Sequence, residues 1–279
     1  MENNKIVLFL KKTGRCTPWF FLLVALILIV ILSYGAKWGL TNKILSENVA
    51  FLGTVSAQKE VNQSYNFLII GDSFMAENGA VAEPLEEKLL SYKNISVTHF
   101  GKVNSGLVDT SFFDWNKKAS ELITKSHPDF VVILIGNNDV KSFKAWNQDG
   151  KRIFLEFGTS QWKEAYRKKI KNFLQIFSDR GINVYWIGLP MMQDQNFSNQ
   201  IKELNEIYKE EMVNFPNVQF ISIWDLLSDG NGNYATYLKG NDGKYYETRR
   251  EDGIHLTHFS GGIISQKVVD EISKKIKLE

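Results

Sequence analysis

The chain has 279 residues, 44% of them hydrophobic and 23% charged, with 33 basic side chains against 31 acidic ones and a formal net charge of +2. Charges this closely balanced provide no large field of one sign, which excludes a nucleic-acid partner on compositional grounds. There is one cysteine, Cys16, so the chain downstream of it can hold neither a disulfide nor a thiolate metal site.

Residues 18–34 form an uninterrupted apolar run from Pro18 through Tyr34, continued by Gly35 and Ala36 and ended by Lys37. That length spans a bilayer core, and Trp19 and Tyr34 sit where interfacial anchors belong. Lys5, Lys11, Lys12 and Arg15 precede the run, whereas only Lys37 and Lys43 closely follow it. The positive-inside rule then predicts a cytoplasmic N-terminus at 1–16, one transmembrane helix at 17–36 and an extracytoplasmic remainder. A cleaved signal peptide is the alternative, with Ser33-Tyr34-Gly35 as its cleavage site, but the run is long for a signal core. A stalk over 37–64 would hold the domain at 65–279 off the membrane.

Beyond the stalk, strand and helix patterns alternate. Strands are predicted at Asn66–Ile70, Ile95–Phe100, Phe130–Ile135, Val184–Gly188 and Val218–Ile223, and the third is apolar throughout, as a central parallel strand covered on both faces must be. Helices are predicted at Ala82–Tyr92, Asn116–Ser126, Ser160–Asp179, Asn199–Val213 and Ser260–Ile276. The long one carries Trp162, Tyr166, Ile170, Phe173, Leu174 and Ile176 at helical spacing and ends at Gly181. Five strands joined by helical crossovers give an α/β fold, a doubly wound three-layer α/β/α sandwich with a flavodoxin-like five-stranded parallel sheet. The segment from Ser228 to Arg250 breaks this rhythm. Asn231-Gly232 and Asp242-Gly243 are hairpin signals, and the segment is either a surface loop or a flap facing the substrate.

Three short blocks fall at loops that follow apolar strands or precede a helix, where an open parallel sheet gathers its functional groups. They are Gly71-Asp72-Ser73-Phe74, Gly136-Asn137-Asn138-Asp139 and Asp252-Gly253-Ile254-His255. Each alone reads equally well as a polar turn. In this order they supply a nucleophile, an oxyanion donor and a base, which is a sufficient set for acyl transfer.

On these blocks the chain resembles the SGNH hydrolases, the GDSL-like lipase and esterase superfamily, over residues 65 to 275. The resemblance implies that Ser73 is the nucleophile and that Asp252 and His255 complete the triad. It also implies an oxyanion hole made by Ser73, Asn138 and a glycine of a second block. That glycine is Gly106, with Gly101 as second choice. Phe74 stands where many members have leucine. The run Asn104-Ser105-Gly106-Leu107, followed by Phe112-Phe113-Asp114-Trp115, is most like a bacterial cell-envelope subgroup of these proteins. Asp114 and Trp115 are candidate substrate contacts, although the aromatics there also read as core or wall.

The resemblance and the apolar run together imply a serine esterase acting on acetyl or other short acyl esters of a cell-envelope glycan. The alternatives are an O-acyltransferase working beside a membrane-bound acyl donor protein, and a non-catalytic glycan-binding envelope protein. No cofactor or metal is expected. A site made of Asp252, His255 and His258 lacks a fourth ligand, and His99, His127 and His258 read as ordinary surface or core residues. Lys168-Lys169 and Arg249-Arg250 read as solvated faces.

Overall fold

The computed structural model describes residues 63–279, apart from Asn78 and Gln148. The expected segments 1–16 and 17–36, and all but the end of the stalk, lie outside these residues. Among the described residues no helix is long and apolar enough to cross a membrane.

The elements run in the order β1 (Tyr65–Gly71), α1 (Ala82–Leu90), β2 (Ile95–Gly101), α2 (Trp115–Ser126), β3 (Phe130–Leu134), β4 (Phe143–Trp146), β5 (Arg152–Leu155) and α3 (Ser160–Ser178). They continue with β6 (Asn183–Ile187), α4 (Gln195–Met212), β7 (Val218–Ile221), β8 (Tyr237–Lys239), β9 (Tyr245–Glu247) and α5 (His258–Ser273). Strands β2-β1-β3-β6-β7 form one sheet in that order, and every neighbour pair in it is parallel. β1 and β3 are apolar because helices cover both faces: Phe67 to Ile70 and Val131 to Leu134 are at most 1% exposed. Helix α1 packs on α5, while α3 packs on both α2 and α4.

The expected five-stranded α/β sheet is present, with helix ends displaced by a few residues. Asp194 and Thr257 account for two of those displacements. Each accepts a backbone N–H at the start of its helix, from Phe197 and from Ser260, so α4 and α5 begin earlier than their apolar periodicity alone suggests. In α3 the buried stripe runs Trp162, Tyr166, Ile170, Phe173, Leu174 and Phe177, so Phe177 rather than Ile176 closes it.

Two hairpins are added to the sandwich. β8 and β9 pair antiparallel around Asp242-Gly243, as the turn signal predicts. β4 and β5 pair antiparallel around Asn147 to Gly150 and were not expected. Their signal is weak: four residues on either side of a short turn carrying Asp149-Gly150, with no regular alternation of apolar and polar residues.

Candidate active site

All three blocks meet at the carboxyl ends of β1 and β3. β1 ends at Gly71, where the backbone lies so close to β3 that a Cβ would stand 2.0 Å from the Leu134 carbonyl oxygen. Asp72 then caps the single 3-10 turn Ser73–Met75, its Oδ1 accepting the Phe74 N–H at 3.1 Å. Its Oδ2 accepts the N–H groups of Gly136 at 3.2 Å and Asn137 at 3.3 Å. One fully buried carboxyl therefore locks the turn of Ser73 to the turn that carries Asn138. Burial pushes this carboxyl up to about 7, and the three N–H bonds offset only part of that rise.

Asp139 does the same for the second block. Its carboxylate accepts the Leu107 N–H at 2.9 Å, the Val108 N–H at 2.8 Å and the Tyr166 hydroxyl at 2.9 Å. Gly106 lies against it so closely that a Cβ would stand 2.1 Å from Oδ1. Asn138 Nδ2 donates to the Ser105 carbonyl at 2.9 Å, which fixes the amide and leaves it a second N–H to give. Among the described residues neither the Ser73 N–H nor the Gly106 N–H donates a hydrogen bond. These are the donors that a forming oxyanion requires. Gly101, the second choice, ends β2 opposite Gly71, and its lack of a side chain admits the Met75 carbonyl.

His255 arrives from the far end of the chain. Its Nε2 is 3.0 Å from Ser73 Oγ and its Nδ1 is 2.6 Å from Asp252 Oδ2. An ionised carboxylate only accepts, so the proton sits on Nδ1 and the Nε2 lone pair faces the serine hydroxyl. Asp252 Oδ1 accepts the N–H groups of Ile254 and His255 at 2.9 and 2.8 Å. Partial burial raises the Asp252 carboxyl, but the His255 ring and these two N–H groups outweigh it and hold the carboxyl below its ordinary range. The loop itself hangs on the segment after β9: Arg250 N–H donates to the His255 carbonyl and Thr257 N–H to the Thr248 carbonyl.

Ser73, His255 and Asp252 thus stand in the sequence of contacts that activates a serine. Beside them lies a cavity of about 230 Å³, walled by Phe74, Ala76, Ala80, Val103 and Arg250 among others. Asp114 and Trp115 are not part of its wall. Asp114 caps α2, accepting the Asn116 and Lys117 N–H groups. Trp115 is 1% exposed and donates from Nε1 to Ser105 Oγ at 3.0 Å. The expected substrate contact at Trp115 is therefore corrected to a structural role, since a buried indole presents nothing to a ligand, while Asp114 is exposed and its two cap bonds both fall on Oδ1.

One member of each basic pair is also corrected, while Lys168 and Arg250 are exposed as expected. Arg249 is buried, and its Nη2 donates to the Met191 carbonyl at 2.6 Å, joining the loop after β6 to the segment that precedes Asp252. Lys169 extends over the Phe143 ring at 5.3 Å. His99 has a role beyond ordinary surface or core: Nε2 contacts the Met75 carbonyl at 2.5 Å and supports the turn of Ser73 from beneath. Only the register of β2 against β1, absent from a linear reading, reveals that contact.

Residues 66–271 match a family described as a protein of unknown function, DUF459. Solved structures of similar architecture include an acetylxylan esterase from Geobacillus stearothermophilus, with 15% identity, a TM-score of 0.51, and coverage of 76% of this chain and 96% of that one. A GDSL-like lipase from Bacteroides thetaiotaomicron also has 15% identity and a TM-score of 0.51, covering 76% of this chain and 89% of that one. The shared architecture is the SGNH hydrolase fold. No curated protein matches the sequence.

Proposed function

The chain belongs to the DUF459 family and has the SGNH hydrolase fold, and from that premise we propose that it is a serine esterase that removes short acyl groups, acetyl above all, from a cell-envelope glycan. The observation that carries this reading is the unbroken contact chain Ser73 Oγ, His255 Nε2, His255 Nδ1, Asp252 Oδ2. Ser73 Oγ attacks the ester carbonyl as its proton passes to His255 Nε2, and Asp252 stabilises the imidazolium. The N–H groups of Ser73 and Gly106 and the Asn138 amide take up the negative charge on the carbonyl oxygen. His255 then returns the proton to the departing sugar hydroxyl, and water, activated by the same ring, releases the acid.

A cavity of about 230 Å³ is small beside the roughly 300–1,000 Å³ of drug-sized sites, which suits an acetyl group better than a long chain. The side chains of His255 and Asp252 are 38% and 45% exposed, so water reaches the base freely and hydrolysis is favoured over transfer. The envelope location is read from the apolar run at 18–34 and its flanking charges, which support a single-pass anchor with the domain outside, and the glycan is read from that location together with the family resemblance.

Acetate release from acetylated xylan by the purified protein, with and without a sugar acceptor, tests the reaction. Release that Ser73→Ala abolishes supports it. Acetyl transfer at the expense of release would convert the reading to an acyltransferase, and neither product would leave a non-catalytic binder. A reporter fused after Glu279 should be active only outside the cytoplasm, and activity inside would overturn the topology.

A further inference from the structure

The β4–β5 hairpin takes no part in the chemistry above, yet it carries the most exposed aromatic of the domain. Its register sets Lys144 opposite Phe154 and Trp146 opposite Arg152. Side chains alternate along a strand, so these four share one face, while Phe143 and Leu155 turn inward and are buried. Trp146 is 73% exposed and Phe154 65%. Among the described residues neither Lys144 nor Arg152 forms an ion pair. Lys141 nearby, by contrast, is held by Asp109 at 3.7 Å. Cross-strand partners stand about 5 Å apart, so the face alternates ring and cation in both directions.

This face borders a cleft of about 340 Å³, with Lys144, Arg152 and Phe154 on one wall and Val108, Asp109 and Ser111 on the other. Val108 is two residues beyond Gly106, and Lys141, also in the wall, is three beyond Asn138. The cleft therefore opens beside both loops that hold the oxyanion donors.

We propose that the outer face of β4–β5 and this cleft form a binding site for an anionic glycan, with sugar rings stacked on Trp146 and Phe154 and acidic substituents paired with Lys144 and Arg152. The inference rests on the esterase reading above and adds the charge class of its substrate. A flat aromatic ring matches the C–H face of a pyranose, and a guanidinium fork matches a carboxylate or phosphate. A neutral glycan would leave two unpaired cations unused. A lipid surface fits less well because the hairpin tip, with Asn147, Asp149 and Gly150, is polar and would have to enter the interface ahead of the rings.

The test uses the full chain in dodecyl maltoside micelles, with polygalacturonate as the acidic polymer and dextran as the neutral one. Polygalacturonate should bind, more weakly as salt rises, and dextran should bind at least about tenfold more weakly. The pair Trp146→Ala with Phe154→Ala, and separately Lys144→Gln with Arg152→Gln, should each weaken polygalacturonate binding about tenfold or more. Both double variants should keep the wild-type thermal midpoint, because all four side chains lie on the surface. Equal binding of dextran, or unchanged binding in either double variant, overturns the site. A response to phosphatidylglycerol added to the micelles, in place of one to polygalacturonate, would reassign the face to lipid. Ser73→Ala should bind the polymer as the wild type does. A protein that binds polygalacturonate but releases no acetate keeps this site and loses the esterase reading, and one that releases acetate without preferring the acidic polymer loses this site alone.

Discussion

The two halves of the proposed triad are built in opposite ways. Ser73 and the oxyanion loops are fastened from within the core, by Asp72 and Asp139, two carboxyl groups with no exposed surface that together accept five backbone N–H bonds. His255 and Asp252 lie more than a third exposed on a loop held by backbone bonds to the segment after β9. The difference fits the proposed roles: an oxyanion hole must be preorganised, because reorientation of its donors would forfeit their effect, whereas the base must be reached by the water that resolves the acyl-enzyme.

The largest effect that separates the halves comes from their reacting atoms. Ser73→Ala and His255→Ala should each lower turnover of p-nitrophenyl acetate by several orders of magnitude, and the double variant should be little worse than either. Additive losses would mean that the two do not act as a unit. Next come the donors and their support. Asn138→Ala should lower kcat about a hundredfold or more with little change in KM. Asp139→Asn, which replaces one accepting oxygen with an NH₂ that faces N–H donors, should also act on kcat by displacing Gly106, and it should destabilise the fold by about 1–3 kcal/mol. A wild-type rate in Asn138→Ala would remove that residue from the site.

Asp252→Asn should be milder than the roughly 10⁴-fold loss typical of a buried orienting carboxylate, since water reaches this one. A loss as large as that of His255→Ala would contradict the view that the base arm is loosely held.

Smaller still is the pH dependence of stability, where the two kinds of acid should differ in sign. The Asp72 carboxyl, raised chiefly by burial to about 7 from an ordinary value of 3.8, binds its proton more tightly in the folded chain. Its stabilising contribution is complete below about pH 4 and is lost as pH rises through about 7. The Asp252 carboxyl, held below its ordinary range, contributes above that range and loses its contribution as pH falls. Thermal midpoints of the wild type should therefore decline between about pH 4 and 7, and Asp72→Asn should flatten that decline while lowering the curve as a whole. An unchanged slope in Asp72→Asn would show that Asp72 is not the group being titrated.

This contrast also explains what the sequence disclosed. Apolar runs such as Phe130–Leu134 disclosed the sheet, and the three blocks disclosed Ser73, Asn138, Asp252 and His255, because position relative to a strand end is a local property. The supports are not local. Nothing near His99 announces that it braces the Met75 carbonyl, and nothing near Asp139 announces Leu107 and Tyr166, since those partners depend on strand register and helix packing. Trp115 misled for the complementary reason. An aromatic beside a polar residue looks like a ligand contact until the core claims the ring. The β4–β5 hairpin escaped notice because four-residue strands flanking a polar turn fall below what alternation can signal.

The central claim, that Ser73 is a nucleophile activated by His255, is tested most directly by a fluorophosphonate probe followed by peptide mass mapping of the full chain. The account predicts one adduct, on the peptide carrying Ser73, absent in Ser73→Ala and strongly slowed in His255→Ala. No adduct on Ser73, or labelling that proceeds at the wild-type rate without His255, would contradict it.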